Sequence, residues 1–197
     1  MNEDRDDKSV GEHYGRGDLA SAILTALSAA GKDPAALTIE DLAPIDQLHA
    51  RGSEATLELA RLAGITAGMR VLDVGGGLGG PARTLASAFG CSVEVLALTE
   101  EFCRAGEMLT ARTDLADLVC FRQGNALKMR YPDAGFDVAW TQHSSMNIAD
   151  KERLYAEIHR ELSPSGHLAM HEMLAGLPHP PPGAVGARSG PQPPAPP

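Results

Sequence analysis

A chain of 197 residues, 43% hydrophobic and 22% charged, is sized for one soluble α/β domain with an appendage. Its formal charge of −9 excludes a nucleic-acid backbone as the main partner, because that role needs a basic stripe. No apolar run reaches the ~18–20 residues of a membrane span, and the opening MNEDRDDKSV has no secretory pattern. A cytoplasmic protein is the expectation, with Cys91, Cys103 and Cys120 as reduced thiols.

Residues 1–17 read as a flexible leader containing Tyr14. Asp18 is placed to cap a helix whose apolar positions, Leu19, Ala22, Ile23, Ala26, Leu27 and Ala30, recur at helical spacing up to Gly31. Thr38 starts a short capped segment carried to Pro44. Ser53 is placed to cap SEATLELARLA, with Leu59 and Leu62 inward and Gly64 as the stop. Residues 1–64 thus form a leader and a helical cover.

From Met69 the period changes. MRVLDV is a short apolar run that ends at glycines, the mark of a buried strand. Pro81 suits a first helical turn, and ARTLASAFG completes that helix at Gly90. CSVEVLAL is a second strand, and Thr99 caps EEFCRAGEMLTAR. VCFRQ and FDVAWT are the third and fourth strands. Asp150 caps KERLYAEIHREL, with Leu154, Ile158 and Leu162 on one face, and SPSG turns into the fifth strand, HLAMHEML. Such alternation predicts an α/β fold, a Rossmann-like, mostly parallel sheet of about five strands over residues 65–175. Residues 176–197, nine of them proline, read as a disordered Pro-rich tail.

The stretch VLDVGGGLGG carries the chemistry. A helix that starts just after a strand directs free N–H groups and a positive dipole end at the connecting loop. Glycine there permits positive φ and close approach of a ligand. Gly75, Gly77 and Gly80 also satisfy the dinucleotide pattern GxGxxG. Asp73 separates the candidates: a carboxylate before the glycines repels a pyrophosphate and favours a ligand with an ammonium and no phosphate. S-adenosylmethionine is such a ligand.

VLDVGGGLGG resembles the DxGxGxG motif of class I S-adenosylmethionine-dependent methyltransferases. The stretches VLALTEEF, FRQGNAL, PDAGFDVAWTQHSSMNI and LSPSGHLAMHE follow in that family's order. Residues 69–174 together resemble its small-molecule branch, which includes the sarcosine/dimethylglycine N-methyltransferases. The resemblance implies a methyl transferase acting on a small molecule, N-methylation of an amine first, by in-line transfer that rests on proximity and exclusion of water. It implies Asp73, Gly75, Gly76, Gly77, Gly79, Leu98, Thr99, Asn125, Ala126 and Gln142 around the cofactor. It also implies a cleft lined by Thr141, Gln142 and His143, with His143 as base or orienting group. Tyr14, His49 and Arg51 are the lid and cover candidates, and Met146 and Asn147 are candidates for the acceptor pocket. Surface or core roles stand as the alternative for each of these. His159, His167, His171 and His179 are scattered and match no metal spacing, so no metal is expected.

One position departs from the family. Where it commonly has an acid that binds both ribose hydroxyls, this chain has Ala97; Glu100 and Glu101 follow but read as first-turn helix acids. The family fold usually has seven strands, and patterning here ends near Leu174. The expectation is a C-terminus that is truncated or read in a shifted frame, leaving the fifth strand as an open edge. The rival readings are a weakly active or non-catalytic remnant of such an enzyme, and an NAD(P)-dependent oxidoreductase supported by GxGxxG alone.

Overall fold

The structure, a computed structural model, describes residues 19–173; the leader with Tyr14, the Asp18 cap and the Pro-rich tail lie outside these residues. Helix α1 (Leu19–Ala29) is followed by α2 (Ile39–Asp46) and α3 (Gly52–Leu62). Alternation then begins: β1 (Arg70–Val74), α4 (Gly80–Phe89), β2 (Ser92–Ala97), α5 (Glu100–Ala111), β3 (Val119–Gln123), β4 (Phe136–Gln142), a 3-10 turn (Ser145–Asn147), α6 (Lys151–Glu161) and β5 (Leu162–His171). The five strands are ordered β3-β2-β1-β4-β5, and every neighbouring pair is parallel. This is the Rossmann-like sheet. Its order reverses between β1 and β4, which opens a crevice at the strands' C-terminal ends.

Alternation along the strands sorts the core into two layers. Val71, Val93, Val95, Val138 and Trp140 pack with Ala82, Leu85 and Ala86 of α4 and Ala60 of α3. On the other face Leu72, Val74, Leu96 and Ala139 pack with Leu154 and Ile158 of α6. Asp73 shares the parity of Val71, so it enters the first layer between Val95 and Trp140 on the neighbouring strands.

Local chemistry fixes most element ends as the sequence predicts. Thr38 and Asp41 form a reciprocal capping box at α2. Thr99 accepts from the Phe102 N–H at α5, and Asp150 from the Arg153 N–H at α6. Four expectations are corrected. Ser53 does not cap α3; Arg51 holds that position with a left-handed φ of 66° and no side-chain cap. Leu62 is 80% exposed, because the inward stripe of α3 is Ala55, Thr56 and Ala60. Leu162 belongs to β5 rather than to the face of α6. SPSG is not a turn before β5 but an irregularity inside it, since Phe136 pairs with Leu162 whereas Val138 pairs with His167. Proline has no N–H to give a ladder, and a bulge absorbs that loss.

The helical cover is bolted to the glycine-loop helix. Arg83 Nη2 lies 2.6 Å from Asp46 Oδ2, and both side chains are shut off from solvent. Arg83 Nη1 donates to Thr110 Oγ1 at 2.8 Å, and Gln47 Nε2 donates to Thr84 Oγ1 at 2.9 Å. The residues ending α2 therefore set the seat of α4 directly below the loop.

Candidate functional site

The loop from Val74 to Gly80 leaves β1 at the crevice. Gly75, Gly77 and Gly79 have φ of 77°, 55° and 78°, in the left-handed region that disfavours other residues. Most of these glycines answer to the protein's own packing. A Cβ on Gly75 would stand 2.6 Å from Ser144 Cβ, one on Gly79 2.6 Å from Phe121 Cζ, and one on Gly80 2.3 Å from the Asp46 carbonyl oxygen. A Cβ on Gly76 would fall 2.2 Å from Asp73 Oδ2. Only at Gly77, within this loop, does nothing lie inside 4 Å. The glycines fit an approaching ligand when read from the sequence, but packing explains all but Gly77.

Asp73 is 1% exposed, and its Oδ2 has no hydrogen-bond partner. Burial pushes its carboxyl up to about 7. The carboxylate thus lies under Gly76 rather than on the crevice wall, and its charge acts across a main chain stripped of side chains.

These contacts yield a first prediction. Gly76→Ala must displace the Asp73 carboxylate or Val95 and lose ~1–3 kcal/mol, the cost of overpacking. Gly77→Ala meets open space and loses only the left-handed penalty of ~1–2 kcal/mol. Urea midpoints of the two variants, with the Gly76 variant less stable, check the ranking.

The remaining cofactor-side candidates stand at neighbouring strand ends. Leu98 is exposed beyond β2, and the Thr99 hydroxyl is engaged as a cap. Asn125 Oδ1 accepts from the Leu127 N–H at 2.8 Å, a local turn in the segment that also holds Ala126. Ala97 is buried and its carbonyl accepts from Gly124 N–H, so no acid stands at that position. Glu100 and Glu101 are first-turn acids of α5, and Glu101 accepts the Leu19 N–H at 3.3 Å.

The acceptor side is tied to the loop through Ser144. Its hydroxyl donates to the Val74 carbonyl at 2.6 Å and lies 2.7 Å from Thr141 Oγ1. Glu172, just past β5, accepts from Thr141 Oγ1 and from the Ser145 N–H at 2.9 and 3.0 Å. It thereby braces the 3-10 turn that carries Met146 and Asn147. Asn147 Nδ2 donates to the His143 carbonyl at 3.3 Å, and Met146 is partly exposed.

Gln142, a cofactor-side candidate from the sequence, has its amide taken up by protein partners. Gln142 Oε1 accepts from Trp140 Nε1 at 2.9 Å and from Thr56 Oγ1 at 3.0 Å, and its Nε2 lies 3.4 Å from His171 Nδ1. Arg51, the other cover candidate of this segment, pairs with Glu54 and Glu58 at the surface. His49 and His143 do come together, and His171, read as scattered, joins them. The ring centroids are 6.2 Å apart for His49–His143, 6.1 Å for His49–His171 and 5.0 Å for His143–His171. Thr56, Ser144, His171 and Glu172 escaped the sequence reading. Applying the strand-end rule to β5 as well as β4 finds the last two.

A separate cavity of about 220 Å³, bordered by Arg70, Ser92, Glu94, Asp117 and Cys120, opens at the opposite end of the sheet. It has no part in the crevice. Among the described residues, no helix is long and apolar enough to cross a membrane.

A parallel α/β sheet with a glycine loop over a buried acid at its switch point defines a domain of the methyltransferase class. The family described as methyltransferase domain matches residues 72–170, half of the chain, and the chain belongs to it. It is 39% identical over 116 residues to the sterol 24-C-methyltransferase of Eremothecium gossypii, covering 59% of this chain and 31% of that protein. It is 35% identical over 129 residues to the glycine/sarcosine/dimethylglycine N-methyltransferase of Actinopolyspora halophila, covering 64% and 22%. Among solved structures it is similar to phosphoethanolamine N-methyltransferase 2 of Haemonchus contortus in complex with S-adenosyl-L-methionine. There the TM-score is 0.58 and the identity 25%, covering 63% of this chain and 29% of that one. The matched region spans less than a third of each of these relatives.

Proposed function

We propose that this chain binds S-adenosylmethionine and methylates a small molecule, an amine nitrogen being the acceptor that the resemblance favours. One observation carries the reading: Asp73, a buried carboxylate with an unpartnered oxygen, lies directly beneath the glycine main chain where a ligand would cross. It suits a cation and opposes the pyrophosphate of a nicotinamide cofactor, for which Ala97 also lacks the ribose acid.

When bound, the cofactor supplies a methyl group on a sulfonium, an electrophile that needs no acid to depart. The Gly75–Gly79 main chain would hold its amino-acid end above Asp73, and Leu98, Thr99, Asn125 and Ala126 would hold its nucleoside end. With Ala97 in place of the ribose acid, affinity falls by ~1.5–3 kcal/mol relative to an acid-bearing homologue. Ser144 and Glu172 fix the β4 loop against the glycine loop, so acceptor and donor are held at constant separation. That positioning is the chain's main catalytic resource.

Calorimetric titration with S-adenosylhomocysteine tests the reading. A ligand ammonium near Asp73 draws its carboxyl below about 7, so binding near that pH releases a proton. The expected result is saturable binding whose heat depends on the buffer's ionisation enthalpy. That dependence vanishes in Asp73→Asn, and affinity drops. Binding of NAD(P) in place of S-adenosylhomocysteine, or undiminished uptake by the Asp73 variant, refutes it.

A further inference from the structure

Ser144 stands at the N-cap of the 3-10 turn Ser145–Asn147, where a serine hydroxyl ordinarily accepts from the first free N–H groups of its own turn. Here it makes no such cap. The hydroxyl is turned the other way and donates to the Val74 carbonyl at 2.6 Å. The free N–H groups of the turn go instead to a residue from the neighbouring strand's end. Glu172 Oε1 accepts from the Ser145 N–H at 3.0 Å, and its Oε2 from the Met146 N–H at 3.4 Å. The turn is thus capped from beyond β5, and its own serine is released to reach β1.

Each hydroxyl in this junction has one hydrogen to give. A carboxylate only accepts, so Thr141, fully buried, gives its hydrogen to Glu172 Oε1 at 2.9 Å. A carbonyl only accepts, so the bond to Val74 uses the hydrogen of Ser144. Thr141 Oγ1 and Ser144 Oγ nevertheless lie 2.7 Å apart. The single Ser144 hydrogen therefore has two acceptors at nearly the same distance, the Val74 carbonyl and Thr141 Oγ1. Its own turn is a third place for the hydroxyl to go. The serine is a two-state element, tied to β1 or turned back.

In the tied state it lies directly against the glycine loop. A Cβ on Gly75, the residue after Val74, would stand 2.6 Å from Ser144 Cβ and 2.9 Å from its Oγ. On the other side, Ser144 governs the turn that carries Met146 and Asn147. Its carbonyl accepts from the Asn147 N–H at 3.1 Å, and Asn147 Nδ2 donates to the adjoining His143 carbonyl at 3.3 Å.

We propose that Ser144 couples the cofactor half of the site to the acceptor half, and that Glu172 is the positioning residue that makes the tied state available by capping the turn in the serine's stead. This rests on the function proposed above and adds a dependence between its two ligands. A cofactor lying on the Gly75 main chain favours the tied state, and the tied state holds Met146 and Asn147 in place. By linkage, an acceptor bound against that turn strengthens cofactor binding by the same factor. The coupling has a physical carrier, one hydroxyl with alternative acceptors, whose balance both ligands bias.

Amide hydrogen exchange of the full chain, with S-adenosylhomocysteine as the probe, tests this. Saturating probe should slow exchange of the Ser145 and Met146 amides by ~5–150-fold, the usual span of coupling between sites. That slowing is counted beyond any seen at the Ile158 amide in α6, which reports general stabilisation. Ser144→Ala should abolish the extra slowing and weaken binding of the probe by a factor of similar size. Glu172→Ala should do the same, because the serine then returns to cap its own turn. Glu172→Gln should restore both properties. Its amide oxygen can keep the Thr141 and Ser145 contacts, which share Oε1, and only the 3.4 Å contact is lost. No slowing at Ser145 and Met146 beyond that of Ile158, wild-type affinity in Ser144→Ala, or a Glu172→Gln variant as impaired as Glu172→Ala overturns the coupling. In each of those cases binding of the probe by the wild-type chain still upholds the function. A wild-type chain that does not bind S-adenosylhomocysteine overturns both.

Discussion

Asp46→Ala should destabilise the protein by ~3–5 kcal/mol, the cost of removing one partner from a buried ion pair. Arg83 is fully enclosed and meets Asp46 at 2.6 Å, so the truncation leaves a guanidinium charge in the core. Its remaining partner groups, the Thr110 hydroxyl and the distant Gly106 carbonyl, are neutral. The pair also joins α2 to α4, and the Asp46 carbonyl abuts Gly80. Loss of this contact should therefore loosen the glycine loop as well as the fold. Denaturant unfolding measures the first effect, and S-adenosylhomocysteine affinity of the folded fraction measures the second. Replacing the whole pair, Asp46→Leu with Arg83→Met, should recover much of the stability, since an apolar pair of similar volume has no charge to desolvate. A double variant as unstable as Asp46→Ala would show that the ionic contact itself, rather than the stranded charge, sets the cost.

Asp73 gives the second large effect, read through pH. Its carboxyl sits at about 7 in the fold against an ordinary value of 3.8, raised by burial. A raised acid binds its proton more tightly folded than unfolded. Stability is therefore greatest below the unfolded value and declines as pH rises toward the folded one. The decline from about pH 4 to pH 7 has an upper bound on the order of 4 kcal/mol, at 1.36 kcal/mol for each pH unit of difference. Asp73→Asn has no such proton to lose, so its stability should stay flatter across that window. Urea unfolding of both proteins at pH 5 and pH 7.5 checks this; parallel pH dependences would refute the assignment. The wild-type slope should also diminish when S-adenosylhomocysteine is present, because a cation in the crevice stabilises the ionised carboxylate.

Much of the fold was legible in the sequence because it is written in short-range chemistry. Thr38 with Asp41, Thr99 and Asp150 each form their caps from neighbours within three residues. The apolar run before Gly75 reads as a strand because parallel strands are buried on both faces. The same reading failed where a distant residue decides. Leu62 fits a helical stripe, yet α3 turns its small residues to the sheet and leaves that leucine in water. SPSG has turn composition, yet pairing with β4 on both sides keeps it inside the strand. His171 looked unrelated to His143 across 27 intervening positions, and a parallel register set the two rings side by side.

The sequence by itself determined the alternation of strands and helices, the loop that follows β1 and the presence of an acid just before it. Those features depend on residue type, period and neighbours a few positions away. The tertiary structure alone decided that Asp73 lies beneath Gly76, that most loop glycines answer to Ser144, Phe121 and Asp46, and that three histidines share one corner. Packing selects among many locally acceptable arrangements, and which side chain stands 3 Å from another is fixed only when strand order, register and helix seating are fixed together.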